Sequence, residues 1–276
     1  MRRLLKFIRI EIDKNMKYFD IHAHVFPENV ASKAVETLEA YYNMKWSGNG
    51  LVSDLAENMN DAGVEKTVIF STATKAAQVE NINNYISGIC SSDSRFIGFG
   101  TMHPEYENIE REISRFKELG LRGLKLHPDF QQFNIDDPKM FPIYEAIGDS
   151  MPILIHVGDE NLDYSSPWRL AKVLDRLPHL NVIAAHLGGY TRWDEAKECL
   201  IGKKKLYLDV SSCFHRMSFA EGREIVKLHG AENILFASDY PAVSQKSAIE
   251  SVYAMHLSDE ENELIFYKNA SSLLGI

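Results

Sequence analysis

Four of the chain's ten histidines stand inside or at the end of short apolar runs, where an imidazole needs a reason. His22 and His24 sit in YFDIHAH, His156 in ILIHV and His186 in VIAAH, while Asp239 follows ILFAS and Lys125 and His127 close LRGLKLH. Side chains alternate along a strand, so the two histidines of an H-x-H pair share one face. Neutral imidazoles with one carboxylate suit a divalent metal, zinc first, with manganese, iron or cobalt also tolerated by nitrogen and oxygen donors. Such a site with an open position lowers the pKa of a bound water, and a neighbouring imidazole or carboxylate can take its proton.

The elements that would gather these residues follow from the hydrophobic pattern. Short β-rich runs at 18–22, 67–71, 96–101, 121–126, 153–157, 182–186, 206–210 and 234–238 alternate with helical segments. Eight such runs, several of them almost wholly apolar, predict a parallel (β/α)8 barrel, one domain over residues 16–276. The helices carry end signals: Gly120 after the Ile109, Ile113, Phe116 and Leu119 stripe, Ser166 and Pro167 at a start, and Ser258 with Glu261 at capping-box spacing. Residues 29–46 predict an extra helix inserted after the first strand. Barrel sites lie at the C-terminal ends of the strands. His22 and His24 therefore belong to the first strand end, Lys125 and His127 to the fourth, His156 to the fifth, His186 to the sixth and Asp239 to the eighth. Singly, each has a structural reading: a buried histidine on a carbonyl, an aspartate opening the turn before Pro241. Jointly, at ends brought around one axis, they point to a metal.

Composition bounds the rest. Hydrophobic residues make up 45% and charged residues 25%, enough for one sizeable core. A formal net charge of -9 argues against a nucleic-acid surface, although the charge inside a pocket can oppose the global sign. Cys90, Cys199 and Cys213 form no C-x-x-C pair and no even framework, which fits a reducing cytoplasm. No apolar run is long enough to cross a bilayer. Residues 1–15 read as an appendage rather than a secretion signal, with Met16 as an alternative start. The partners expected are a small-molecule substrate and, for the chain itself, at most a second copy in a homodimer.

From about Met16 onward the motifs DIHAHVFPE, GLRGLKLHPDFQ, PILIHVGD, VIAAHLGGY, ILFASDYP and NASSLL resemble the amidohydrolase superfamily. More narrowly, they resemble the amidohydrolase-related branch that includes aminocarboxymuconate semialdehyde decarboxylase. The resemblance implies that His22, His24, His156 and Asp239 hold one divalent metal, and that His186 acts as acid/base or hydrogen-bonds the activated water. In two-metal relatives a carboxylated lysine bridges the ions, and Lys125 stands where such a bridge would be. TatD-type nucleases share the H-x-H start but carry a glutamate on the fourth strand, where this chain has Lys125. The resemblance implies a metal-dependent hydrolase acting on a small amide, lactone or ester, with Asp239 and His186 catalytic. Its alternative is a nonoxidative decarboxylase of an unsaturated or aromatic acid, for which Arg192 or Lys125 would hold the carboxylate. His103 and His127 are further candidates for substrate contact. A non-catalytic metal-binding barrel is the reading from another class, and an acid/base at His186 counts against it.

Overall fold

A computed structural model describes residues 16–276. The expected appendage at residues 1–15 lies outside the described residues. Eight parallel strands run in sequence order around a barrel: β1 (Tyr18–His24), β2 (Val64–Phe70), β3 (Phe96–Thr101), β4 (Gly123–Leu126), β5 (Ile153–Ile155), β6 (Val182–Ala184), β7 (Leu206–Asp209) and β8 (Ile234–Leu235). All eight expected strands are present in this (β/α)8 fold. Several end earlier than their apolar runs, because the last residues of each run turn away to become site loops.

Helices follow the strands: α1 (Glu28–Tyr42), α2 (Val52–Ala62), α3 (Val79–Ser92), α4 (Ile109–Glu118), α5 (Pro128–Gln131), α6 (Phe141–Ile147), α7 (Pro167–Arg176), α8 (Trp193–Cys199), α9 (Phe219–His229) and α10 (Gln245–Tyr253). The β1-to-β2 connection holds two helices. α2 buries Leu55, Met59 and Ala62, whereas α1 buries only Ala31, as befits an insertion lying over the barrel mouth. The capping box at Ser258 and Glu261 forms as the spacing predicts. Ser166 stands at the N-cap of α7, but its hydroxyl bonds the Asp163 carbonyl at 2.8 Å instead of capping the helix.

Apolar side chains form two layers. Phe19, Ile21, Val68, Phe70, Ile97, Phe99, Leu154, Ile183 and Leu235 fill the barrel interior, and a larger layer packs strands against helices. The interior layer stops where β1 changes register against β2, between Asp20 and Ala23. Phe19 and Ile21 belong to the interior below that point, and His22 turns toward the axis above it. Such irregularities re-aim side chains beside sites.

The seam between β8 and β1 is sparse. It is held by Ile21 N–H to the Phe236 carbonyl (3.1 Å), Asp239 N–H to the His22 carbonyl (2.9 Å) and His24 N–H to the Tyr240 carbonyl (2.6 Å). Asp20 reinforces it. This buried carboxylate accepts from the Ser238 hydroxyl (2.6 Å), the Ser238 and His22 amides (3.0 Å each) and Gln245 Nε2 (2.9 Å), pinning β1 to β8 and α10.

Candidate active site

His22 and His24 end β1 on one face, their Nε2 atoms 3.2 Å apart. Asp239 Oδ1 lies 3.2 Å from His22 Nε2 and 3.4 Å from His24 Nε2. The strand ends carry strained backbone to achieve this. Asp239 and His186 both have left-handed φ, 63° and 59°, which costs a non-glycine residue roughly 1–2 kcal/mol.

Hydrogen bonds fix which nitrogen of each ring is bare. His22 Nδ1–H donates to Asp209 Oδ2 at 2.9 Å, since a carboxylate can only accept, and this leaves Nε2 without a proton. His156 Nε2–H donates to the Gly158 carbonyl at 2.9 Å, leaving Nδ1 bare. His186 Nδ1–H donates to the Ser211 carbonyl at 3.0 Å, leaving Nε2 bare. The bare His156 Nδ1 and His186 Nε2 then face each other at 2.9 Å. Two lone pairs aimed together repel unless a cation lies between or beside them. The His22 and His186 rings are 5.4 Å apart, so the His156 and His186 pair lies beside the His22, His24 and Asp239 group. This donor set fits a divalent metal.

Local backbone explains the orientation of His156. Gly158 has φ 91°, and a Cβ there would lie 2.4 Å from the backbone of Tyr190. Only glycine lets the chain turn beside the β6 loop while presenting its carbonyl to His156.

The four expected ligands do not all converge equally. His22, His24 and Asp239 form one tight group. His156 instead groups with His127 and Asp129 through Nε2, and turns Nδ1 toward His186. His127 stacks on His156 at 4.0 Å and 11° and reaches the Tyr42 hydroxyl at 3.4 Å. Asp129, unremarked in the sequence, places Oδ2 3.9 Å from His156 Nε2 and 4.0 Å from His127 Nδ1. Burial pushes its carboxyl up to about 7, and Ser165 offsets part of that shift. Burial likewise brings His24 down to about 4 and Lys125 down to about 7, the latter opposed by Asp239 and Asp209.

Lys125 is fully buried, with Nζ 3.1 Å from His22 Nε2 and 4.6 Å from the centre of the Phe70 ring. It stands among the metal-competent side chains and does not line the adjoining cavity. Arg192 is also absent from the cavity: it pairs with Asp163, distant in sequence, at 2.9 Å and with Glu195, three residues on, at 2.6 Å. His103 accepts from the Glu105 amide at 3.2 Å and stays outside the cavity lining. Those three expectations of substrate contact therefore find no support in the geometry.

The cavity itself has about 620 Å³. Its inner end holds His24, His156, His186 and Asp239; its walls include Phe26, Leu38, Tyr42, Met44, Trp46, Phe130 and Tyr190. Tyr42 meets Phe130 and Tyr190 edge to face at 6.1 and 5.7 Å. His215, given no role by the sequence, lines the same wall and pairs with the Tyr190 hydroxyl at 3.0 Å. Asp209 and Ser211 were likewise missed; the aspartate of LYLDV at a strand end was the available signal.

Residues 19–276 match the family model described as Amidohydrolase. The chain belongs to that family. A curated relative, the 2-amino-3-carboxymuconate-6-semialdehyde decarboxylase of Dictyostelium discoideum, is 31% identical over 132 residues, 39% of this chain and 37% of that protein. The alignment thus spans little more than a third of the relative's length. Among solved structures, 5-carboxyvanillate decarboxylase from Sphingomonas paucimobilis superposes with a TM-score of 0.72 at 17% identity, covering 95% of this chain and 99% of the other. A dihydroxybenzoic acid decarboxylase from Polaromonas, solved with manganese and the inhibitor 2-nitroresorcinol, gives 0.71 at 14%, covering 94% and 97%. At those identities the likeness is one of fold.

Proposed function

We propose that this amidohydrolase-family protein is a metal-dependent, nonoxidative decarboxylase of a small aromatic or conjugated carboxylic acid. The observation that carries the reading is a cavity whose walls are aromatic rings and whose inner end is the imidazole and carboxylate donor set. Flat apolar walls favour a planar ligand, and a divalent ion held at the inner end would favour a carboxylate. The decarboxylase names of its relatives support the same choice over hydrolysis.

His22, His24, His156 and Asp239 would hold the ion, which supplies Lewis acidity and orientation to a substrate oxygen. Manganese accompanies one structural relative, and the nitrogen and oxygen donors accommodate zinc as well. His186 does the proton work. With Nδ1–H committed to the Ser211 carbonyl, Nε2 accepts a proton from the incoming acid or from water and returns it to the carbon that bears the carboxylate. The C–C bond then breaks, its electron pair restores the π system and carbon dioxide leaves. Tyr42, Phe130 and Tyr190 hold the ring in place and keep water away.

Hydrolysis of an amide, lactone or ester is the second reading, because the same donors can activate water. One experiment separates the two. Metal-loaded protein is offered aromatic and conjugated acids, then lactones, esters and amides, while carbon dioxide and hydrolysis products are followed. Carbon dioxide from an acid is the expected result; hydrolysis without it makes the protein a hydrolase.

A further inference from the structure

The chain is acidic, yet the cavity is not. Asp239 is the one carboxylate in its lining among the described residues, and two lysines, Lys33 and Lys75, stand in the same lining. Both are exposed, so they occupy the mouth, opposite the donor set. Neither ammonium group makes an ion pair or a hydrogen bond with another described residue, whereas that of Lys45 pairs with Glu39. They come from neighbouring connections: Lys33 lies on α1, which follows β1, and Lys75 lies in the loop after β2. On α1, Val30, Lys33, Ala34, Thr37 and Leu38 fall at helical spacing and all line the cavity, so Lys33 belongs to the helix face turned toward the ligand. The other candidate cations are spent, Arg192 on Asp163 and Glu195 and Lys125 inside the donor set.

We propose that Lys33 and Lys75 form an outer anion subsite, and that the substrate is a planar dianion with a second carboxylate remote from the one lost. This rests on the planar-acid reading above and goes further by giving the substrate a second charge and two residues that select it. An apolar span between an inner end that would hold a divalent ion and a mouth with two ammonium groups matches a rigid diacid better than a monoacid, whose far edge would leave both ammonium groups unanswered.

The test is binding rather than turnover. Metal-loaded protein is titrated calorimetrically with benzoate, isophthalate and terephthalate. At least one diacid is expected to bind roughly tenfold more tightly than benzoate, as two solvent-facing ion pairs allow, with the advantage shrinking as salt rises. Lys33→Met and Lys75→Met should each reduce that advantage and the double variant should erase it, while benzoate affinity stays within about twofold. If benzoate binds and neither diacid binds better, or if the advantage survives the double substitution, the outer subsite is wrong and the planar-acid reading stands. If none of the three binds, both fall together.

Discussion

His156 and His186 present bare nitrogens to each other, but their neighbours assign them different work. His156 is backed by the Gly158 carbonyl and stacked under His127, the fixed setting of a ligand. His186 is reached from the cavity, hangs from the Ser211 carbonyl and sits on a strained turn. His156→Ala should therefore lose metal and activity together. His186→Asn should keep its metal while turnover drops by roughly two to four orders of magnitude, the usual share of a positioned acid/base. Elemental analysis and steady-state rates on both variants make the comparison; equal metal loss would make His186 a ligand and bring a second ion, bridged by Lys125, into consideration. The residues legible in the sequence were those whose polarity breaks an apolar run at a strand end. Asp129, His215 and Lys33 carried no such mark, because their surroundings are built by chain far away. Arg192 misled in part for the same reason: Glu195 stands three residues on, but only the fold delivers Asp163.

At the scale of elements, α9 is locked to the base of the barrel by His229. Its Nε2–H donates to the Leu206 carbonyl that opens β7 (2.9 Å), and its Nδ1 accepts the Gly202 amide (3.1 Å). A second proton would have to displace that amide, and burial holds the pKa below the ordinary histidine value. Because the unfolded chain takes up the proton first, this stability is complete above about pH 6.5 and is lost as pH falls toward the lower folded value. Urea midpoints at pH 7.5 and 5.5 should differ less in His229→Gln than in the parent; equal slopes would remove His229 from the account. Strand number and order were legible because parallel strands buried on both faces read as plain apolar runs. Strand ends were not, since residues such as Val157 and His186 keep the apolar neighbourhood of a strand while their backbone has left the ladder. The inserted α1 was visible from its length and pattern. Its position over the mouth depends on packing that no periodicity records.

For the molecule as a whole, the expected ligands join β1, β5 and the end of β8, so the ion should contribute to global stability. An ion present at about a hundred times its dissociation constant adds about 2.7 kcal/mol. Chelation should then lower the melting temperature by roughly 5–10 °C for a chain of this size, and restoring manganese or zinc should bring it back. A melting temperature indifferent to chelator would show that the ion, if bound, does not bridge the barrel. The sparse seam has a consequence for how the protein is made. His22 and His24 belong to the first of the eight barrel strands to be made and Asp239 follows the eighth, more than two hundred residues later. At about 5–20 residues per second the two histidines wait on the order of ten seconds or more for their carboxylate. A nascent chain that has made only the earlier strands therefore carries no finished centre: the carboxylate that completes it arrives with β8.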